Sequence, residues 1–230
     1  MIYTLTLNPA LDYDIYMDSF QEGDLNLSKE VNIRAGGKGI NVSKLLANLG
    51  IKSKALGYTA GFTGDFKKKN LYDEGIESDF VDLDGITRIN VKINNNSKET
   101  EIAGLSPKIT KEAEEKLIEK ISKLQKDDIL ILSGSIPGSI ERNIYKKLAE
   151  MLPEGTKIVL DTRGNLLKEN LNGNFLIKPN IADLHEMFAT RLSTTPYIIK
   201  KCAYFLERNV KNVIVSMGGK GALLVNKEGA

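Results

Sequence analysis

The chain has 230 residues, of which 41% are hydrophobic and 27% are charged, so it can bury a substantial core without a disulfide or a structural metal. The 32 Lys and Arg residues nearly balance the 30 Asp and Glu residues, and so small a net charge gives no reason to expect a nucleic acid or a membrane as partner. The single cysteine, Cys202, excludes an internal disulfide, and the single histidine, His185, excludes zinc sites built from several His or Cys ligands.

The N-terminus lacks the basic region of a signal peptide, and the apolar runs are too short to span a bilayer. We therefore expect a cytoplasmic protein. The first hundred residues predict a strand that ends at Asn8-Pro9, alternating strands with one face in water, and a helix that stops at Gly50. These elements lie at residues 2–7 (first strand), 13–17, 89–93 and 99–102 (alternating strands) and 42–49 (apolar stripe of the helix).

Beyond residue 105 the pattern becomes a regular alternation of short apolar strands and amphipathic helices. Thr110 is a candidate cap for a helix whose first turn is acidic. The predicted strands lie at residues 129–132, 158–160, 175–177 and 213–215, and the predicted helices near residues 110–124, 141–151, 181–188 and 197–208. Cys202 falls on the apolar stripe of the last helix and is predicted to be part of the core.

Short apolar strands between amphipathic helices are typical of an α/β fold with a mostly parallel sheet that is covered on both faces. The half-polar alternating strands are predicted to form a small accessory sheet. In such folds ligands bind at the carboxyl ends of the strands, where loops meet helix N-termini. Site residues are therefore expected at those strand ends.

The glycine-rich run AGGKGINVS, residues 35–43, lies directly before the first helix. Its small residues allow backbone N–H groups to approach a ligand, and the helix directs its positive end there. Asn41 adds a neutral donor and acceptor that suits sugar hydroxyls. The run is not a phosphate-binding P-loop, because Lys38 is followed by Gly39 rather than Ser or Thr. Alone, such a cluster is more often a tight turn than a site.

Several other predicted strand ends are also polar or rich in glycine. Asp12 is equally consistent with a turn-stabilising carboxylate and with an acceptor for ligand hydroxyls. Arg88 could pair with a phosphate through two N–H groups, but a solvated surface arginine is the commoner case. For each of the others a plain turn is the default, and only their joint occurrence in one sheet indicates a site. These are residues 133–135 (SGS), 178–180 (KPN) and 216–221 (SMGGKG).

Seven segments occur in the order seen in the ribokinase (PfkB) family of sugar kinases, and together they cover the whole chain. The sequence is most similar to the 1-phosphofructokinase branch of that family, with tagatose-6-phosphate kinases as close relatives. The segments are TLNPALD (6–12), AGGKGINVS (35–43), GFTGDF (61–66), TRINVKI (87–93), SGSIP (133–137), IKPN (177–180) and VSMGGKGA (215–222).

The resemblance implies a ribokinase-like three-layer α/β/α sandwich, with a small β-sheet lid formed near residues 12–34 and 87–104. It implies ATP-dependent phosphorylation of a ketohexose phosphate, most simply of fructose 1-phosphate to fructose 1,6-bisphosphate, with Mg²⁺. In relatives the lid also makes a dimer contact, so a homodimer is expected. The implied sugar-side residues are Asp12, Gly37, Lys38, Gly39, Asn41, Arg88 and Ser133, and the implied ATP-side residues are Lys178, Asn180, Ser216, Gly218 and Gly221.

The sequence departs from the family pattern at a few positions. Asp183 stands where the family's Asn-x-x-Glu motif has Glu, so its expected link to Mg²⁺ is indirect. Leu27 occupies a position that is commonly Arg, and Gly138 one that is commonly Pro. Ala103 and Ser106 replace the usual Asn and Gly of the lid. These departures affect the identity of the sugar more than the reaction.

The family's Gly-Ala-Gly-Asp motif, which supplies an anion hole and the proton acceptor, would follow Ala230. We therefore expect residues 1–230 to be one ribokinase-like domain without its C-terminal part, and no catalytic base is assigned. Three hypotheses remain: a fragment of a fructose-1-phosphate kinase, the corresponding part of a tagatose-6-phosphate kinase, and a non-catalytic module that binds a sugar phosphate. The retained VSMGGKGA and IKPN segments disfavour the third.

Overall fold

The computed structural model describes residues 1–96, 98–190 and 194–230. Its strands are β1 (Ile2–Thr6), β2 (Ala10–Met17), β3 (Glu30–Gly36), β4 (Lys54–Ala60), β5 (Glu77–Leu83), β6 (Ile89–Asn95), β7 (Lys98–Ile102), β8 (Ile129–Ser133), β9 (Lys157–Asp161), β10 (Leu176–Ile177), β11 (Asn212–Ser216) and β12 (Ala222–Asn226). Its helices are α1 (Lys38–Asn48), α2 (Gly61–Asp73), α3 (Lys111–Ile121), α4 (Ile144–Glu150), α5 (Gly164–Glu169), α6 (Ile181–Phe188) and α7 (Thr195–Leu206).

The central sheet has the strand order β12-β11-β10-β9-β8-β1-β4-β5. All neighbours in it are parallel except the edge pair β11 and β12, which is antiparallel. Ala55 and Leu56 are adjacent in β4 but belong to different hydrophobic clusters. Because successive residues of a strand point to opposite faces, both faces of the sheet are covered. The predicted α/β sandwich with a mostly parallel sheet is confirmed.

The small sheet has the order β3-β2-β6-β7. β2 pairs antiparallel with β3 and parallel with β6, so that Asp12 lies opposite Arg34 on one side and Asn90 on the other. The predicted accessory sheet is therefore present. The prediction that the polar face of β2 lies in water was wrong, because Asp12 and Asp14 are each only 5% exposed. Their face is covered because it closes over a cleft and contains the basic side chain of Arg34.

The elements predicted beyond residue 105 are found at the expected places. Thr110 caps α3, since its Oγ1 accepts a hydrogen bond from the backbone N–H of Ala113 at 3.2 Å. Cys202 is fully buried in α7, as predicted, and burial raises the pKa of its thiol to about 11. The sequence reading did not identify β4, α2, β5 or α5.

Candidate functional site

A cleft of about 540 Å³ lies between the small sheet and the carboxyl ends of the central strands. Five of the seven residues predicted to hold the sugar line it together, namely Asp12, Gly37, Lys38, Asn41 and Arg88. The other two lie behind it. Ser133 is fully buried, and a Cβ on Gly39 would come within 2.5 Å of Thr6 Oγ1, so Gly39 serves the packing of α1 on β1.

Asp12 is a buried carboxylate surrounded by donors from the neighbouring strands. Asn90 Nδ2 donates to its Oδ1 at 3.0 Å, and the Arg34 guanidinium lies 3.0 Å from its Oδ2. Lys92 Nζ lies 4.0 Å from the same oxygen. The carboxylate packs directly over Gly36, where any Cβ would come within 2.6 Å of it. The glycine is therefore required by the close approach of Asp12.

Arg34 and Asp14 belong to this cluster, although sequence reasoning missed both. Arg34 Nε donates to Asp14 Oδ2 at 2.8 Å, and this hydrogen bond raises the pKa of Arg34 above its usual value. The available signal was the strand period: Asp14 is two residues from Asp12 in β2 and therefore shares its face. Pairing with Arg34 could not be read from the sequence, because it depends on the register between β2 and β3.

The N-terminus of α1 opens onto the cleft. Gly37, the residue before it, has a φ of 124°, which glycine adopts easily, and α1 begins without a side-chain cap at this position. The free N–H groups and the helix dipole make this end attractive to anions and to ligand oxygens. Asn41 lies in the first turn and reaches the same cleft.

Arg88 is held by the loop between β1 and β2. Its guanidinium donates to the carbonyl of Asn8 at 3.1 Å and to that of Pro9 at 3.3 Å. Burial lowers the pKa of Arg88 from its usual value, while the charge of Asp12 opposes the change. Two carbonyls thus fix the orientation of a cation that lines the cleft.

Asp161, at the end of β9, links the sugar side to the predicted nucleotide side. Its Oδ1 lies 2.9 Å from Lys38 Nζ, and its Oδ2 lies 3.4 Å from Lys178 Nζ. Through Asp161, the predicted ATP-side residue Lys178 is connected to Lys38 of the cleft. Lys178 itself does not line the cleft. Sequence reasoning missed Asp161, but its position at a predicted strand end was the signal that would have found it.

The other predicted ATP-side residues come together at the ends of β10 and β11. Asn180 forms a bridge with Ser216, whose backbone N–H donates to the carbonyl of Pro179 at 3.0 Å. Gly218 and Gly221 have positive φ values of 61° and 86° in the tight turn that follows. This backbone turn exposes polar groups beside Lys178, outside the cleft itself.

Asp183 forms a capping box with Asn180 at the start of α6. Its carboxylate accepts from the backbone N–H of Asn180 at 2.9 Å, and its own N–H donates to the Asn180 side chain at 2.8 Å. Within residues 1–96, 98–190 and 194–230, no group of three or more His, Cys, Asp or Glu side chains is arranged to hold a metal ion. Mg²⁺ typically takes only one or two protein carboxylates together with substrate phosphates and waters, so Asp183 fits a contact through water.

A sequence profile of pfkB family carbohydrate kinases matches residues 5–230. The chain belongs to this family. Its fold, its small sheet and the order of its motifs are those expected of a pfkB kinase, and ATP is the phosphoryl donor implied by membership. Across the described part of the chain, helices are too short or too polar to cross a membrane.

Among the pfkB relatives is the 1-phosphofructokinase of Borreliella burgdorferi, which is 42% identical over 226 residues, or 98% of this chain and 74% of the relative. The D-tagatose-1-phosphate kinase of Bacillus licheniformis is 35% identical over 99% of this chain and 76% of its own length. The structure of phosphofructokinase-2 from Escherichia coli in complex with fructose-6-phosphate has a TM-score of 0.92 and 26% identity, covering 99% of this chain and 77% of that one. This chain thus spans about three quarters of each.

Proposed function

We propose that the protein transfers the γ-phosphoryl group of ATP to fructose 1-phosphate, which gives fructose 1,6-bisphosphate. The observation that carries the proposal is one cleft whose lining brings the buried carboxylate of Asp12 together with the cations Lys38, Arg88 and Lys92. A carboxylate accepts from sugar hydroxyls, and the cations complement a phosphate. The relative from Borreliella burgdorferi, at 42% identity, supports the choice of sugar.

In this proposal each residue has a limited role. Asp12 and Asn41 hold sugar hydroxyls, and Arg88 pairs with the phosphate that the sugar already has. The N-terminus of α1, with Gly37, Lys38 and Gly39, shapes the floor of the site. Phosphoryl transfer depends mainly on positioning and on neutralising charge. Residues 1–230 are not proposed to contain the proton acceptor.

On the ATP side, Lys178, Asn180, Ser216, Gly218 and Gly221 are proposed to contact the nucleotide. Gly218 and Gly221 shape a glycine-rich turn of the kind whose backbone N–H groups bind phosphates, although the N–H of Gly221 itself donates to the carbonyl of Gly218 at 3.0 Å. Mg²⁺, bound with the nucleotide, would neutralise charge on the β- and γ-phosphates. Asp183 is proposed to reach this ion through water, because the capping box occupies its carboxylate.

The test is steady-state turnover by the full-length protein with ATP and each of four sugars: fructose 1-phosphate, tagatose 1-phosphate, tagatose 6-phosphate and fructose 6-phosphate. The proposal expects the highest kcat/KM with fructose 1-phosphate. A higher kcat/KM with either tagatose phosphate would contradict this choice of sugar and indicate a tagatose-phosphate kinase instead.

A tagatose phosphate is that second candidate because the Bacillus licheniformis relative, at 35% identity, is named for tagatose 1-phosphate. A non-catalytic sugar-phosphate module is the third. Calorimetry with fructose 1-phosphate in the absence of ATP, read beside the turnover assay, distinguishes it: such a module binds the sugar tightly and turns over no substrate.

We also propose that the lid, the small sheet of β3, β2, β6 and β7, is the contact of a homodimer. The face turned away from the cleft exposes Val31, Ile33 and Ile102, with exposed fractions of 40%, 42% and 55%. Tyr13 and Ile15 of β2 lie on the same face and are half-buried. A contiguous apolar face on one side of a thin sheet is best covered by a second copy.

A further inference from the structure

Four side chains on the cleft face of the small sheet are connected to one another by hydrogen bonds and an ion pair. Arg34 of β3 lies directly opposite Asp12 of β2, and Asp14 lies two residues further along the same face. Asn90 of β6 flanks Asp12 from the other side. Both carboxylates are 5% exposed, so each needs partners to offset the loss of water.

Asp14 accepts hydrogen bonds from the Nε and Nη2 atoms of Arg34, which could otherwise donate to a different carboxylate. Nε donates to Asp14 Oδ2 at 2.8 Å, and a second N–H donates to Asp14 Oδ1 at 3.5 Å. Only one nitrogen, NH1, remains within contact of Asp12, at 3.0 Å from Oδ2. Asp14 therefore holds the guanidinium in an orientation in which Nη1 alone lies against Asp12.

This single contact leaves part of Asp12 available to a ligand. A carboxylate has about four acceptor sites. Asn90 donates a hydrogen bond to one of them at 3.0 Å, and the ion pair with Arg34 covers a second. Lys92 Nζ lies 4.0 Å away, beyond hydrogen-bond distance. About two sites therefore remain on a carboxylate that lines the cleft.

We propose that Arg34, anchored by Asp14, is a positioning residue that keeps two acceptor sites of Asp12 open for a pair of sugar hydroxyls. The inference rests on the proposed function, since it takes Asp12 as the residue that holds the sugar. Without Asp14, the freed edge of Arg34 turns to Asp12 and forms the bidentate pair that Arg and carboxylate favour. That pair occupies an acceptor site that a hydroxyl needs.

The test uses Asp14→Asn in the full-length protein, because asparagine keeps the shape and removes the charge that anchors Arg34. We expect the KM and the Kd for fructose 1-phosphate to rise about tenfold, the factor for one hydrogen bond to a charged group. The KM for ATP is expected to change by less than about twofold. The matched control is Asp18→Asn, which removes one charge of the exposed Lys29–Asp18 pair just beyond the ends of β2 and β3 and is expected to change neither constant.

A second measurement separates positioning from general damage to the sheet. Arg34→Gln leaves the two carboxylates without their shared cation and is expected to weaken binding of fructose 1-phosphate by more than Asp14→Asn does. Combining the two changes restores the charge balance, so the double variant is expected to bind better than Arg34→Gln alone. A purely structural role predicts losses that add.

The hydroxyl readout uses the 3-deoxy and 4-deoxy analogues of fructose 1-phosphate. In the wild-type protein, removing a hydroxyl that donates a hydrogen bond to Asp12 is expected to raise the Kd of the analogue above that of fructose 1-phosphate. In Asp14→Asn this difference between the two Kd values, the penalty for the missing hydroxyl, is expected to be smaller. An unchanged penalty in the variant would overturn the inference, as would an unchanged Kd for fructose 1-phosphate itself.

Asp12→Asn distinguishes failure of this inference from failure of the proposed function. If Asp12→Asn abolishes sugar binding while Asp14→Asn is neutral, the anchoring role is wrong and the sugar site stands. If neither variant alters sugar binding, the assignment of Asp12 to the sugar is wrong, and the inference fails with it.

Discussion

Lys67, on the inner face of α2, is a fully buried lysine whose Nζ has no hydrogen-bond partner among the described residues. Its nearest compensation is the ring of Phe80, with the centroid 5.9 Å from Nζ. Burial, together with the positive charge of Arg88, lowers the pKa of Lys67 to about 7, and the charge of Asp12 opposes both effects. The folded protein therefore prefers this amine neutral.

We predict that Lys67→Met stabilises the protein in a pH-dependent way. Unfolded lysine has a pKa of 10.5 against about 7 when folded, so between these values the unfolded chain binds the extra proton and stability rises with pH. The free energy of unfolding should increase on the order of 4 kcal/mol at pH 7, with a much smaller gain near pH 10.

Urea unfolding at pH 7 and pH 10 checks this prediction. Lys69→Met is the matched control, because Lys69 lies on the same helix, is exposed and pairs with Asp73. It is expected to change stability by less than about 1 kcal/mol at either pH. An equal gain for Lys67→Met at both pH values would show that the buried amine is not the cause.

Two of the elements that sequence reasoning missed, α2 and β4, contain glycines that hide the usual pattern of a helix or a strand. α2 contains two glycines, and its middle is the run Lys67–Lys68–Lys69, so its apolar stripe is too weak to recognise. β4 contains Gly57, where a Cβ would come within 2.1 Å of the Thr6 carbonyl. The close approach of β4 to β1, visible only in three dimensions, explains a glycine that reads as a strand breaker in the sequence.

α1 shows how a helix position determines the site. A Cβ at Gly39 would meet Thr6 Oγ1 at 2.5 Å and the Leu5 carbonyl at 3.1 Å. We predict that Gly39→Ala lowers the free energy of unfolding by about 2 kcal/mol, although alanine has the higher helix propensity. The displaced helix start, with Lys38 and Asn41, should also bind fructose 1-phosphate more weakly.

Thermal unfolding and calorimetry check this prediction, with Gly219→Ala as the control, because a Cβ there meets nothing within 4 Å. The control is expected to change stability by less than about 1 kcal/mol. A stabilised Gly39→Ala protein would mean that propensity outweighs the contact with β1.

For the whole molecule, the sequence predicted a mostly parallel central sheet without two of its strands, the accessory sheet, and five of the residues that line the cleft. The strand period and the order of the motifs were sufficient to predict Asp12, Lys38 and Arg88 as residues of the site. They were not enough for Arg34 or Asp161, whose partners lie 20 and more residues away and depend on strand pairing. They also misjudged the polar face of β2, since burial of Asp12 and Asp14 depends on what lies across the sheet.

The proposed dimer gives a prediction about assembly. Ile33→Lys places a charge on the exposed apolar face of the small sheet, and we expect it to shift the full-length protein from dimer to monomer. Light scattering coupled to gel filtration measures this. Tyr72→Lys, which alters an exposed residue of α2, should leave the mass unchanged. A wild-type protein that is monomeric throughout the accessible concentration range would contradict the proposal.

The ion pairs of Asp12 and Asp14 with Arg34 also have a consequence for folding. A slip of one residue between β2 and β3 would turn every side chain of the slipped strand to the opposite face, leaving the buried carboxylates without their cation. On the other face of β2, Leu11 and Met17 are buried and also oppose such a slip, whereas Tyr13 and Ile15 are only half-buried. The charges of the proposed sugar site thus also favour the native register of β2 and β3, so the aligned sheet and the proposed site are expected to form in the same step.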